Sequence, residues 1–204
     1  MKWFTTLITS VFLVIIGCTP TMTMTYRYNI GLANVERPAN ARVQYGDIQL
    51  VRVQSGDTVK YHFEDSLLSV FWMPTDDQVY FWLNNKSQHT LKLIWDETAF
   101  VYPSGVSARV MHEGVKYNDR NNSQPPTIIP KDGSLFDCLN PTDRVFFGYK
   151  SYVLYDGYEW QTAPYLCPSD VGKDFRIVLP LQVEGVTNEY TFQFHVNSVD
   201  SLLK

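Results

Sequence analysis

Basic residues are scarce in this chain. Lys and Arg together number 17 against 21 Asp and Glu, and the formal net charge is −4. Nucleic-acid binding depends on Lys and Arg side chains that neutralise phosphates. No basic patch is visible along the sequence, so we expect no nucleic-acid partner.

Long apolar runs are also missing. A transmembrane helix needs roughly 20 consecutive apolar residues, and no segment of the chain reaches that length. The longest candidate runs from Phe4 to Ile16, follows a single Lys2 and is interrupted by Thr and Ser. Its length suits the apolar core of a signal peptide, which is roughly 7–15 residues. The N-terminal segment therefore predicts export, with an uncleaved signal anchor as the alternative.

Catalytic and metal-binding motifs are absent. The chain has no GxSxG elbow, no CxxC pair and no calcium-loop pattern. Its widely separated histidines are His62, His89, His112 and His195. His112-Glu113 lacks the second His of a helical zinc motif. We expect no cofactor, no metal site and no catalytic residues; a hydrolase that joins His112 to an acid and a hydroxyl is the remaining enzymatic alternative.

A lipidation motif ends the apolar segment. Ile15-Ile16-Gly17-Cys18 resembles the lipobox of bacterial lipoproteins, although Ile16 stands where Ala or Ser is more usual. The resemblance implies a signal peptide over residues 1–17, cleavage before Cys18 and lipid on the Cys18 thiol. Thr19 follows the cysteine in place of Asp, which by resemblance to enteric lipoproteins implies the outer membrane. The expected location is the cell envelope, on its periplasmic or cell-surface face.

Two further cysteines, Cys138 and Cys167, complete the total of three. An exported domain meets an oxidising compartment, so a disulfide between them is the simplest prediction. It would close a loop of about 30 residues and stabilise the fold by about 3–4 kcal/mol in the chain-entropy model. Two free thiols are the alternative.

The rest of the chain divides into a tether and one all-β domain. Residues 18–40 are polar and irregular, and predict a flexible tether after the lipidated cysteine. From residue 41 onward, short segments alternate apolar and polar residues and are separated by Gly, Asp, Asn and Pro. Phe81 and Leu83, for example, alternate with Trp82. We predict one antiparallel β-sandwich, immunoglobulin-like with insertions, over residues 41–204; a small barrel is the alternative.

Aromatic residues are unusually frequent, at 15% of the chain. One predicted hairpin, with its turn at Asp156-Gly157, concentrates Tyr149, Tyr152, Tyr155, Tyr158 and Trp160. Exposed aromatic side chains there could stack on sugars or bind a protein partner. The alternative is that they fill the core and the sheet faces.

A fainter resemblance covers residues 65–195. The block over residues 81–87, the strand that ends at Trp95 and the Pro-containing segment 125–130 resemble uncharacterised bacterial lipoproteins with a β-sandwich domain, for which no activity is implied. Our first hypothesis is a non-enzymatic binding or scaffold lipoprotein whose partner is another envelope component. The second is a lipoprotein that binds a glycan or surface ligand through the aromatic hairpin, and the third is an envelope hydrolase.

Overall fold

The chain folds almost entirely into antiparallel β-strands. A computed structural model describes residues 24–39, 41–55, 58–152 and 155–203. Cys18 and the predicted signal peptide lie outside these residues. One short helix, α1 (Ala41–Tyr45), and four single 3₁₀ turns interrupt the strands. The strands are β1 (Met24–Glu36), β2 (Gln49–Ser55), β3 (Thr58–Glu64), β4 (Leu68–Pro74), β5 (Val79–Asn85), β6 (Leu91–Leu93), β7 (Ala99–Val101), β8 (Ser107–His112), β9 (Thr127–Ile129), β10 (Ser134–Pro141), β11 (Val145–Tyr152), β12 (Tyr155–Thr162), β13 (Asp174–Val183) and β14 (Val186–Leu203).

Twelve of the described strands form one curled sheet whose two halves face each other. One layer runs β2-β3-β4-β5-β10, and the other contains β1, β14, β13, β7, β6 and β9. Strand β8 belongs to both layers, since Ser107–Arg109 pairs with β7 whereas Val110–His112 pairs with β10. The predicted antiparallel β-sandwich is therefore confirmed, with its layers joined at one corner through β8.

The core lies between the layers and follows the alternation of the sequence. In β5, Phe81 and Leu83 are fully buried while Trp82 between them is exposed. Successive side chains of a strand point to opposite faces, which produces this pattern. The fully buried aromatic side chains are Phe63, Trp72, Phe81, Trp95, Phe100, Phe175, Tyr190, Phe192 and Phe194.

The structure differs from the predicted tether. Residues 24–36, which the sequence placed in a flexible linker, form strand β1, which pairs with β14 from Thr191 to Leu203. Ile30 and Val35 of β1 are buried in the core. Register shifts after Asn29 and after Leu32 break the two-residue period, so the apolar positions do not alternate simply and the strand is hard to recognise from sequence. Of the predicted tether, only residues 18–23 precede the sheet.

Two pairs of strands lie outside the regular layers. The last β13–β14 pair is Asp174 with His195, and from Ser198 onward β14 pairs with β1 alone. This two-stranded ribbon joins Met24–Asn29 to Ser198–Leu203. The hairpin β11–β12 forms a separate two-stranded sheet and packs through Trp160 on Tyr117 and Arg120. Within the described residues, no helix is long and apolar enough to cross a membrane.

Candidate functional site

The hairpin β11–β12 presents a set of aromatic side chains to solvent. Phe147 lies opposite Trp160, and Tyr149 lies opposite Tyr158. Directly opposed residues share a face of an antiparallel pair, so these four side chains form one group, which we call the hairpin ladder. Tyr149 is 57% exposed and Tyr158 is 64% exposed. Exposure, which binding of a ligand at this hairpin requires, is thus present for two of the five residues named from sequence.

The other predicted hairpin residues have different positions. Trp160 is half-buried, because Tyr117 packs on its ring at 5.8 Å and the Arg120 guanidinium lies 5.0 Å from its centroid. The side chains of Tyr152 and Tyr155 lie outside those that the structure describes. Phe147, which the sequence reading overlooked, is exposed and completes the ladder.

The turn of this hairpin is not where the sequence predicted it. Asp156 and Gly157 lie inside β12, paired with Ser151 and Lys150. Asp-Gly is a strong local turn signal, but here the cross-strand pairing of the aromatic residues determines the register.

The ring planes of the ladder are not coplanar. Tyr149 and Tyr158 meet at 70°, and Phe147 and Trp160 meet at 55°. A sugar stacks on the open face of an aromatic ring, so a glycan platform of these rings would require them to lie in one plane. Phe147 and Tyr158 are closer to parallel, at 28°, but the described rings of the hairpin ladder do not form one coplanar set.

A second aromatic surface, missed by the sequence reading, crosses the outer face of the first layer. His62 pairs with Phe71, Phe71 with Trp82, and Trp82 with Phe136. We call these four residues on β3, β4, β5 and β10 the aromatic row. Trp82 is 49% exposed and Phe136 is 53% exposed.

Polar residues border the aromatic row on one side. Glu64, Ser69, Asn84 and Ser134 form the next row on the same face, two residues along each strand. Glu64 is held by Lys86, whose ammonium hydrogen-bonds its carboxylate and keeps the pKa of Glu64 below its usual value. An apolar centre beside a polar rim is the usual composition of a protein interface.

The histidine of the hydrolase hypothesis does have an acidic partner. His112 Nδ1 lies 3.1 Å from the Asp137 carboxylate, and Trp95 stacks on the imidazole at 4.0 Å. The same carboxylate accepts backbone N–H groups of Glu113 and Cys138, each at 2.8 Å. Among the described residues no hydroxyl or thiol is hydrogen-bonded to His112, and His112 lines none of the three described cavities. The pair connects β8 to β10, and no nucleophile contacts it within the part of the chain that the structure describes.

A cleft of about 370 Å³ lies at the hairpin base, where Tyr102, Asp143 and Arg144 line it. The Tyr102 hydroxyl donates to Asp143 at 2.6 Å and accepts from Arg144 Nε at 3.1 Å. Burial, assisted by Asp143, raises the pKa of Tyr102 to about 12, so its hydroxyl remains a donor at neutral pH. No histidine is among the residues described as lining this cleft. Tyr102 bonds to Asp143 and Arg144, and Cys167 bonds to Asp170.

The predicted disulfide is not formed. Cys138 is buried on β10, whereas Cys167 is exposed at the cleft, and both are free thiols. The Cys167 thiol donates to Asp170 at 3.0 Å. Burial opposes ionisation of Asp170, but hydrogen bonds from Cys167 and from Lys173 outweigh it and lower the pKa of Asp170. The two cysteines occupy unrelated environments, which a count of cysteines alone could not show.

Thiol labelling tests this correction. Burial, together with Asp137, raises the pKa of Cys138 to about 11, so its thiol should be unreactive in the folded chain. In Cys18→Ser protein without reductant, we expect a maleimide to modify Cys167 alone, and Cys138 only after unfolding. Cys167→Ser should abolish labelling of the folded protein. If neither cysteine reacts, even when unfolded, until a reductant is added, a disulfide is present.

No metal-ligand group of three or more His, Cys, Asp or Glu side chains occurs among the described residues. No family model, curated protein or solved structure matches this chain. Function is therefore inferred from the surfaces alone.

Proposed function

We propose that this protein is a non-enzymatic binding protein of the bacterial cell envelope. In this proposal it is attached to the outer membrane by lipid on Cys18, and the aromatic row binds another envelope protein. The observation that carries the proposal is the exposure of Trp82 and Phe136 side by side on the outer face of the first layer.

The composition of the aromatic row favours a binding role. The solvent-facing side of an antiparallel sheet usually carries polar side chains, whereas this row consists of Trp, Phe and His. Large contiguous apolar patches on a protein surface mark interaction sites. Trp and other aromatic residues also provide most of the binding energy at protein interfaces.

The ring geometry favours a protein over a glycan as the partner. His62 stacks on Phe71 at 4.2 Å with 17° between the planes, and Tyr80 stacks on Phe136 at 6.2 Å with 13°. One face of the His62 ring and one face of the Phe71 ring are therefore covered, whereas Tyr80 and Phe136 are nearly parallel but too far apart for their faces to overlap fully. Trp82 and Phe136 are each about half exposed, which suits partial insertion into side-chain pockets of a protein.

Site-specific photo-crosslinking in cells tests the proposal. A photoreactive residue at Trp82 or Phe136 should yield one discrete adduct with an envelope protein. The same residue at Val186, which is 60% exposed on β14 and outside the aromatic row, is the matched control. The double substitution Trp82→Ser with Phe136→Ser should reduce recovery of that partner by about tenfold or more, since each residue would be an interface hot spot of about 2 kcal/mol.

Two outcomes would contradict the proposal. Identical adducts from positions 82 and 186 would show that the aromatic row has no special role. Absence of any protein adduct, together with binding of an envelope polysaccharide by the purified protein, would favour the glycan hypothesis. Incorporation of labelled palmitate that disappears in Cys18→Ser protein tests the anchor separately.

A further inference from the structure

We infer that the hairpin β11–β12 is a second membrane contact, and that the hairpin ladder inserts into the interfacial region of the same bilayer leaflet that holds the lipid on Cys18. The inference rests on the anchor in the proposed function, but not on the aromatic row. The occupant of the hairpin surface is the lipid headgroup and upper acyl region.

Only a short segment of chain separates the anchor from the sheet. Cys18 and Met24 are six residues apart in sequence (24 − 18). An extended chain covers at most about 3.3–3.6 Å per residue, so this segment reaches about 20 Å at most. Because β1 begins at Met24, the tip of the β1–β14 ribbon must lie close to the membrane surface.

The base of the hairpin and the base of the ribbon lie at the same end of the sandwich. At the base of the ribbon, the backbone N–H of Gly172 donates to the carbonyl of Val196 at 2.8 Å. The segment before Gly172 supplies Cys167 and Asp170 to the cleft, and Arg144 lies on the opposite wall of that cleft.

Arg144 also closes the hairpin, because its carbonyl accepts the backbone N–H of Ala163 at 2.8 Å directly below the Val145–Thr162 pair. The bases of the ribbon and of the hairpin are therefore separated only by the cleft. Burial and the nearby Cys167 and Asp76 raise the pKa of Tyr28, a ribbon residue, to about 12, consistent with this proximity.

The hairpin exposes aromatic side chains on both of its faces. Its exposed side chains include Phe146 on one face and Phe147, Tyr149 and Tyr158 on the other. Phe, Tyr and Trp accumulate at membrane–water interfaces, where the ring body is apolar and the hydroxyl or indole N–H remains in contact with water. Each hairpin strand has eight residues and spans about 26 Å, and the six-residue ribbon spans about 20 Å, so the two elements have similar lengths.

The charges of the hairpin indicate how it would bind. Lys150 Nζ lies 3.2 Å from the Glu159 carboxylate on the same face, and Asp156 is exposed. The described charged side chains of the hairpin therefore give no positive excess for anionic headgroups. Insertion should depend on apolar contact, and high salt should leave it unchanged.

Depth-dependent quenching tests the inference with the full acylated protein in phosphatidylcholine vesicles that contain brominated acyl chains. Two variants, each in a Trp160→Phe background, carry a new Trp: Tyr149→Trp on the hairpin and Val186→Trp near the β13–β14 turn at the opposite end. Both positions are well exposed in the protein, at 57% and 60%. Trp72, Trp82 and Trp95 also emit, so the signal of each new Trp is taken as the difference from the Trp160→Phe parent. We expect the emission added by Tyr149→Trp to be mostly quenched at low and high salt, and the emission added by Val186→Trp to be unchanged.

The outcomes distinguish the hairpin from the anchor. Protein that floats with the vesicles, but in which the brominated chains quench the new Trp equally at positions 149 and 186, would overturn the membrane contact and leave the anchor intact. Protein that neither floats nor incorporates palmitate would refute the anchor itself. Protein that floats without quenching at position 149, and whose hairpin crosslinks to another protein in cells, would identify the ladder as a protein-docking surface and overturn the inference.

Discussion

Trp72→Ala is expected to lower the free energy of unfolding by about 3–5 kcal/mol, the range for truncating a buried Trp or Phe. The Trp72 ring is fully buried between the layers, with Phe192 at 4.8 Å, Phe81 at 5.3 Å and Phe194 at 5.7 Å. Removing the indole leaves a cavity lined by rigid rings that cannot easily close. Urea unfolding of the purified protein, followed by far-ultraviolet circular dichroism, measures the loss.

Trp72→Phe is the informative control. The Nε1 donor of Trp72 is buried and has no hydrogen-bond partner among the described residues. A buried polar group without a partner costs about 1–3 kcal/mol, and Phe removes that cost while it keeps a six-membered ring in the core. We expect the loss to be less than half that of Trp72→Ala. An equal loss in both variants would show that the indole N–H makes a stabilising bond.

Asp65→Ala is expected to destabilise the protein by a similar amount, about 3–5 kcal/mol, because it removes a buried, hydrogen-bonded charge. One Asp65 oxygen accepts the backbone N–H groups of Leu67 at 2.9 Å and Leu68 at 3.1 Å. The other oxygen accepts the Tyr190 hydroxyl at 2.9 Å and lies 3.6 Å from Arg37. Asp65 therefore connects the turn between β3 and β4 to β14 in the opposite layer.

The partners left by Asp65→Ala explain the size of the effect. Burial and the adjacent Asp65 raise the pKa of Tyr190 well above its usual value, so its hydroxyl stays protonated and would lose its acceptor. Asp65→Asn keeps an oxygen for the two backbone donors but removes the charge opposite Arg37. We expect this variant to lose less stability in the same urea experiment. An Asp65→Ala protein as stable as the unsubstituted chain would show that water replaces the carboxylate.

Strands within the layers could be predicted because the period of two is local information. In β5 the pattern of Val79, Phe81 and Leu83 identified the core face before any partner strand was known. Strand β1 was missed because two bulges interrupt its alternation and the preceding Thr- and Met-rich segment is irregular. Bulges depend on how the partner strand pairs, which a single segment does not encode.

The sequence predicted only some of the residues in the candidate sites. Tyr149 and Tyr158 could be named because they lie close together in one hairpin and carry a composition that is rare at the surface. The position of the hairpin turn, and hence the pairing with Phe147, depended on which aromatic residues met across the strands. The state of Cys138 and Cys167 could not be inferred, since the distance between two positions in a β-sandwich is unrelated to their separation in sequence.

By itself, the sequence determined the all-β class, the core face of the regular strands and the concentration of aromatic residues in one hairpin, because alternation and composition are local properties. The tertiary structure alone decided which outer faces hold aromatic residues together. His62, Phe71, Trp82 and Phe136 come from four strands, and a shift of one residue in any pairing would turn a strand's side chains to the opposite face. The aromatic row therefore exists only because the packed core sets the register of every strand that contributes to it.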